Sequence, residues 1–211
     1  MISRFVACNG LDCVKEQVEE SKLATIEMGE SEELDFDARQ DLLQVCLVPL
    51  IRIVTIASKV KESSNLVFQT SIWKALFDFY PDVNDTSKGF LCLMLVEFFS
   101  TSAGSKALSN NLECIFQVLE LKDDSVLDVA DPFFVHAWGM LFLKLVDSKL
   151  VQETKILSSK EILQQLCCIY ENSLDNKLRR VIATKTKNLT LEQPELLSNL
   201  SPELHLAVMS L

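Results

Sequence analysis

The sequence predicts an all-α fold of stacked helices, and three observations carry that prediction. Only five glycines and five prolines occur in 211 residues, too few for an all-β chain that turns about every 8–12 residues. Apolar residues recur at spacings of three and four, the period of a helix face, and no segment alternates with period two. A short pattern also occurs twice: Arg4-Phe5-Val6-Ala7-Cys8-Asn9-Gly10-Leu11-Asp12-Cys13-Val14 parallels Ser105-Lys106-Ala107-Leu108-Ser109-Asn110-Asn111-Leu112-Glu113-Cys114-Ile115. In each copy a small helical turn runs into Asn-Gly or Asn-Asn, and a Leu-acid-Cys-β-branched start follows. A repeated helical unit cannot bury its apolar face alone and must stack on its neighbours. The expectation is one domain over residues 1–211, an α-solenoid. Its last helix ends without a polar cap, which reads as a fragment of a longer protein.

The elements follow in order. Residues 3–8 and 11–26 predict a short and a longer helix. Residues 28–37, with Gly29-Glu30-Ser31-Glu32-Glu33, predict an acidic loop. Residues 38–61 predict a strong helix with apolar Leu42, Leu43, Cys46, Leu47, Leu50, Ile53, Val54 and Ala57; Pro49 should kink or split it. A break at 63–65 precedes a helix over 67–79, closed by Pro81. Residues 82–88 predict a turn, and 89–100, apolar on nearly every face, a central buried helix. After a break at 101–104 come short helices at 106–109 and 112–121, a loop at 122–124 and a helical turn over 125–129. Asp131-Pro132 opens a helix to Val146 in the favoured order of cap then proline. A turn at 152–157 leads to a helix over 159–170 capped by Ser158 or Ser159, then an amphipathic helix over 175–186 with its basic side exposed. Short helices at 192–200 and 202–210 close the chain.

Composition narrows the function. Net charge is −10, which disfavours nucleic acid as the main ligand, since duplex binding needs a basic face. Acid and base are unevenly spread: residues 1–41 hold eleven Asp/Glu against four Lys/Arg, and 155–187 hold seven Lys/Arg against three Asp/Glu. This suits either two solvated faces, or an acidic contact for a basic peptide and a basic one for an acidic peptide. Seven scattered cysteines and no apolar leader in residues 1–10 predict an intracellular protein, nuclear or cytoplasmic, with cysteines serving as small hydrophobes. The sequons at Asn84 and Asn188 are then silent. The longest apolar run, residues 45–57, is interrupted by Pro49 and Arg52 and is not expected to enter a membrane.

Residues 103–148 resemble one unit of the armadillo and HEAT-type repeats. Gly104-Ser105-Lys106-Ala107-Leu108-Ser109-Asn110-Asn111 is similar to that family's short helix and turn. Leu112-Glu113-Cys114-Ile115-Phe116-Gln117-Val118-Leu119 is similar to its second helix, and Phe134-Val135-His136-Ala137-Trp138-Gly139-Met140-Leu141 to its third. Residues 5–59 match more loosely, with 11–20 as second helix and 45–58 as third. The resemblance implies a concave groove, lined by third helices, that takes a protein or peptide partner. Trp138 fits the family's groove tryptophan. The asparagine that would follow four residues later is Phe142, so the peptide-clamping ladder of nuclear-import adaptors is not implied.

Catalytic and metal signals are weak. The histidines are His136 and His205, and a Cys114–His136 nucleophile pair is far less expected than an ordinary histidine. There is no phosphate loop, serine elbow or His-Glu-x-x-His pattern. Neither the Cys8–Cys13 spacing nor the adjacent Cys167–Cys168 pair is that of a zinc site. The expectation is a non-enzyme without cofactor or metal: an interaction scaffold, or else a subunit of a homo- or hetero-oligomeric helical assembly. Candidate contacts are Arg52 and Thr55 on one groove helix, and His136, Trp138 and Phe142 on another. Aromatic residues and arginine are frequent anchors at interface centres.

Overall fold

The computed structural model describes residues 10–30, 36–70, 72–119, 130–148 and 157–211. Among these residues every regular element is helical, so the fold class is all-α. The expected short helix at 3–8, the loop at 122–124, the helical turn at 125–129 and all but the end of the turn at 152–157 lie outside them; of the acidic loop expected over 28–37, residues 28–30 and 36–37 are helical and the rest lies outside the described residues. The chain divides into two compact units, Met1–Glu120 and Leu121–Leu211. That boundary falls inside the stretch resembling a single repeat.

In the first unit, α1 spans Gly10–Glu30, α2 Phe36–Lys59, α3 Lys61–Gln69, α4 Ile72–Phe77, α5 Asp85–Phe99, α6 Ser102–Ser109 and α7 Leu112–Leu119. The helix α2 continues through Pro49 without being split. It is the hub, packing against α1, α3, α4 and α5. Leu43, Leu47, Ile51, Val54 and Ala57 form its buried side. The expected break at 63–65 instead falls at Val60, because the Ser63 hydroxyl bonds the Ala57 carbonyl at 2.6 Å and is satisfied inside a helix. The expected helix over 67–79 is interrupted at Thr70, whose hydroxyl donates to the Leu66 carbonyl at 2.8 Å.

The helix α5 starts earlier than expected because Asn84 caps it, accepting from the Ser87 N–H at 3.1 Å. It is central as predicted: Leu91, Cys92, Met94, Leu95 and Phe98 are buried. Phe98 holds three helices together. Its ring meets Phe68 edge-on at 4.9 Å and Trp73 at 5.6 Å, geometries the ring quadrupole favours. The helix α6 turns back from α5 at 114°, capped by the Thr101 hydroxyl on the Gly104 N–H. Only glycine fits at 104: a Cβ there would sit 2.4 Å from the Phe98 carbonyl oxygen.

In the second unit, α8 spans Pro132–Asp147, α9 Ser159–Asn172 and α10 Asn176–Glu192, followed by a 3-10 turn at Pro194–Asn199 and α11 at Pro202–Met209. The start of α8 is the one the sequence announces, with Asp131 accepting from the Phe133 N–H at 2.8 Å ahead of Pro132. Ser158, rather than Ser159, caps α9, in a reciprocal box with Glu161. The helices α8, α9 and α10 pack on one another. They approach closely at Gly139, where a Cβ would lie 2.7 Å from Ile169 Cγ2 and 2.8 Å from Leu178 Cδ2.

Candidate functional site

The helix α2 is apolar on two sides. A helix buries one stripe and normally presents polar residues elsewhere. Here Leu42, Val45, Cys46, Pro49 and Ile56 are all exposed, opposite the buried stripe, and Ile53 is half-buried among them. Val45 is 73% exposed, Leu42 48% and Ile56 46%. At 3.6 residues per turn these six side chains cover an arc of about 100° around Pro49, running roughly 21 Å along the axis. The charged residues nearest the stripe are the exposed Arg52 and the half-buried Arg39 at its two margins, with the exposed Asp41 and Lys59 further round. Lys59 pairs with Glu97 at 2.9 Å. Arg52 has no ion-pair partner among the described residues.

By length and composition alone residues 38–59 are also long and apolar enough to cross a membrane, with a third of their most apolar 18 residues buried in the fold. The sequence expectation rested on Pro49 and Arg52 interrupting the run. The helix passes through Pro49, while Arg52 still breaks the apolar sequence.

The predicted contact residues fall in different settings. Arg52 and Thr55 lie on α2. Arg52 is exposed, whereas the Thr55 hydroxyl donates to the Ile51 carbonyl of its own helix at 2.7 Å. Trp138 and Phe142 do not form an exposed pair. They are 1% and 0% exposed, with ring centroids 5.7 Å apart. Their apolar area is enclosed, so in this conformation they hold α8 in place and offer no surface to a partner. His136 is half-buried on the same helix, its Nδ1 3.2 Å from Asp175 Oδ2. Asp175 also caps α10, accepting from the N–H groups of Lys177 and Leu178. Those bonds, the first above all, and the nearby His136 hold its carboxyl below the ordinary range against a smaller effect of desolvation.

The cysteines divide by environment. Burial pushes the Cys114 thiol up to about 11 and that of Cys92 to about 12, which suppresses the thiolate a nucleophile needs. Cys13 and Cys46 are exposed. The two copies of the sequence pattern therefore differ where they look most alike: Cys13 faces solvent and its counterpart Cys114 is buried. No three or more His, Cys, Asp or Glu side chains among the described residues gather where they could hold a metal ion.

The sequence reading missed most of the exposed stripe. It grouped Leu42, Cys46 and Ile53 with Leu43, Leu47, Val54 and Ala57 as one apolar set, because helical period alone does not separate the buried side of this helix from the exposed one. No protein-family model, curated protein or solved structure matches this chain.

Proposed function

We propose that this chain is a protein-interaction module whose α2 face receives an amphipathic helix of a partner protein. The observation that supports this reading is the stripe of Leu42, Val45, Cys46, Pro49, Ile53 and Ile56, left in solvent on the helix that otherwise organises the first unit. Fully burying one such aliphatic side chain is worth about 1.5–3 kcal/mol, so a few of them supply the gross energy of a specific contact. The narrow stripe suits one helix laid alongside, read by residues at helical spacing. Arg52 at its margin would pair with an acidic residue of the partner and set the register. A stacked, armadillo-like arrangement belongs to this proposal on the strength of the resemblance over 103–148. The unit boundary within that stretch weighs against a single repeat there, so the proposal rests on the α2 face.

The test compares wild type with a Val45→Asp, Ile56→Asp variant of equal helicity. Each is used to capture proteins from cell extract, and Cys46 alkylation is followed with and without the captured protein. The expected result is a partner retained by the wild type only, which shields Cys46. Identical captures from both proteins would sink the proposal. Co-sedimentation of the wild type, but not the variant, with phospholipid vesicles would replace the partner helix by a membrane surface.

A further inference from the structure

We propose that the exposed face of α10, in the second unit, is a docking site for an acidic peptide carrying an aliphatic side chain. It is separate in chemistry from the α2 face and does not depend on it. The helix α10 bears Lys177, Arg179, Arg180, Lys185 and Lys187 against a single acid, Glu192. Two of these cations are engaged. Arg179 lies over the Tyr170 ring at 4.4 Å and reaches Glu203 at 3.4 Å, and Lys185 pairs with Asp147. Lys177, Arg180 and Lys187 have no ion-pair partner among the described residues. Spacings of three and seven bring these three to one side of the helix, with Val181 52% and Leu191 71% exposed beside them. A shallow recess of about 590 Å³ opens on the same side, lined by Lys177, Arg180, Val181, Thr184 and Asn188 and closed by the Asp147–Lys185 pair.

Charge complementarity selects the occupant. The chain carries −10 overall, yet no carboxylate of its described residues forms a close ion pair with these three cations, and Lys177 meets only the field of the neighbouring Asp175. A peptide carboxylate meets the planar fork of Arg180 through two parallel hydrogen bonds, with Lys177 one helical turn away as a second point charge. Val181 and Leu191 offer apolar area that a side chain of a peptide can cover and a phosphodiester backbone cannot. Exposed pairs are individually weak, so the interaction is of modest affinity and strongly salt-dependent.

The experiment measures fluorescence anisotropy of a fluorescein-labelled glutamate peptide interspersed with leucines, titrated with the full chain at low and high salt. An all-glutamate peptide and a single-stranded oligonucleotide run in parallel. The mixed peptide is expected to bind saturably and to weaken with salt. It should lose affinity about tenfold in Lys177→Glu, Arg180→Glu and about threefold in Val181→Ser, while Val45→Asp in the first unit leaves it unchanged. Both cations are exposed, so circular dichroism is expected to be the same in the charge-reversed protein. The proposal is overturned by any of three results: no saturable binding, equal binding by the charge-reversed protein, or an oligonucleotide bound more tightly than the mixed peptide.

Discussion

At the scale of single residues, Asp175 links a helix start to a proton. Its carboxylate accepts two N–H groups at the head of α10 and faces His136, so its folded-state pKa lies below the ordinary 3.8. A depressed carboxyl stabilises the fold above its unfolded value and loses that contribution as pH falls through the folded one. Asparagine caps as well but does not titrate. Wild type should therefore exceed Asp175→Asn in thermal stability near neutrality, with the gap closing below pH ~4; a gap constant with pH would contradict this. Trp138 makes the opposite kind of prediction. Since it is buried, Trp138→Ala should cost about 3–5 kcal/mol in chemical denaturation, making it a test of folding rather than of binding. The thiols give a third. Cys13 and Cys46 should alkylate in the native protein, and Cys92 and Cys114 only on unfolding, as read by mass spectrometry of modified peptides.

At the scale of elements, the helices that could be read from sequence are those with chemically explicit starts. Asp131-Pro132 announces α8, and the serine pair Ser158-Ser159 announces α9 without saying which of the two caps it, because a cap and its backbone partners are neighbours in sequence. The breaks at Val60 and Thr70 are unannounced, since hydroxyls of Ser63 and Thr70 bond to carbonyls three to six residues back, and serine and threonine serve inside helices as well as at their ends. The two faces of α2 could not be assigned, as both are apolar and only tertiary contacts choose between them. Gly104 was legible as a glycine in a turn, but its reason is the approach of α6 to the Phe98 backbone. Gly104→Ala should therefore destabilise by about 1–3 kcal/mol or more. Gly139→Ala, which meets side-chain methyls of Ile169 and Leu178 rather than backbone, should cost less. Equal melting temperatures for the two variants would refute this difference.

For the whole molecule, charge and apolar surface are distributed differently. The first unit holds ten Lys/Arg and eighteen Asp/Glu, the second ten and twelve. The sequence showed this asymmetry directly because charge counts need no fold. It did not show which cations remain unpaired, because Lys185 and Arg179 meet their partners across helices. Net repulsion keeps copies with exposed apolar faces apart, and it vanishes near the pI of about 4.7. Light scattering of the purified chain should rise toward that pH, and Val45→Asp, Ile56→Asp should reduce the rise.

Pro49 lies at the middle of the exposed α2 stripe. Proline has no N–H, so it cannot supply the bond that the Val45 carbonyl, one turn earlier, would receive in an uninterrupted helix. In the free protein water can reach this acceptor. A surface of pure hydrocarbon closing over the stripe would strip that water and leave the carbonyl unmet, at a cost of about 1–3 kcal/mol. A partner that brings a hydroxyl or amide to the same spot avoids that cost. The stripe is thus greasy at its margins and thirsty at its centre, and it discriminates between things that are merely oily and things shaped like protein.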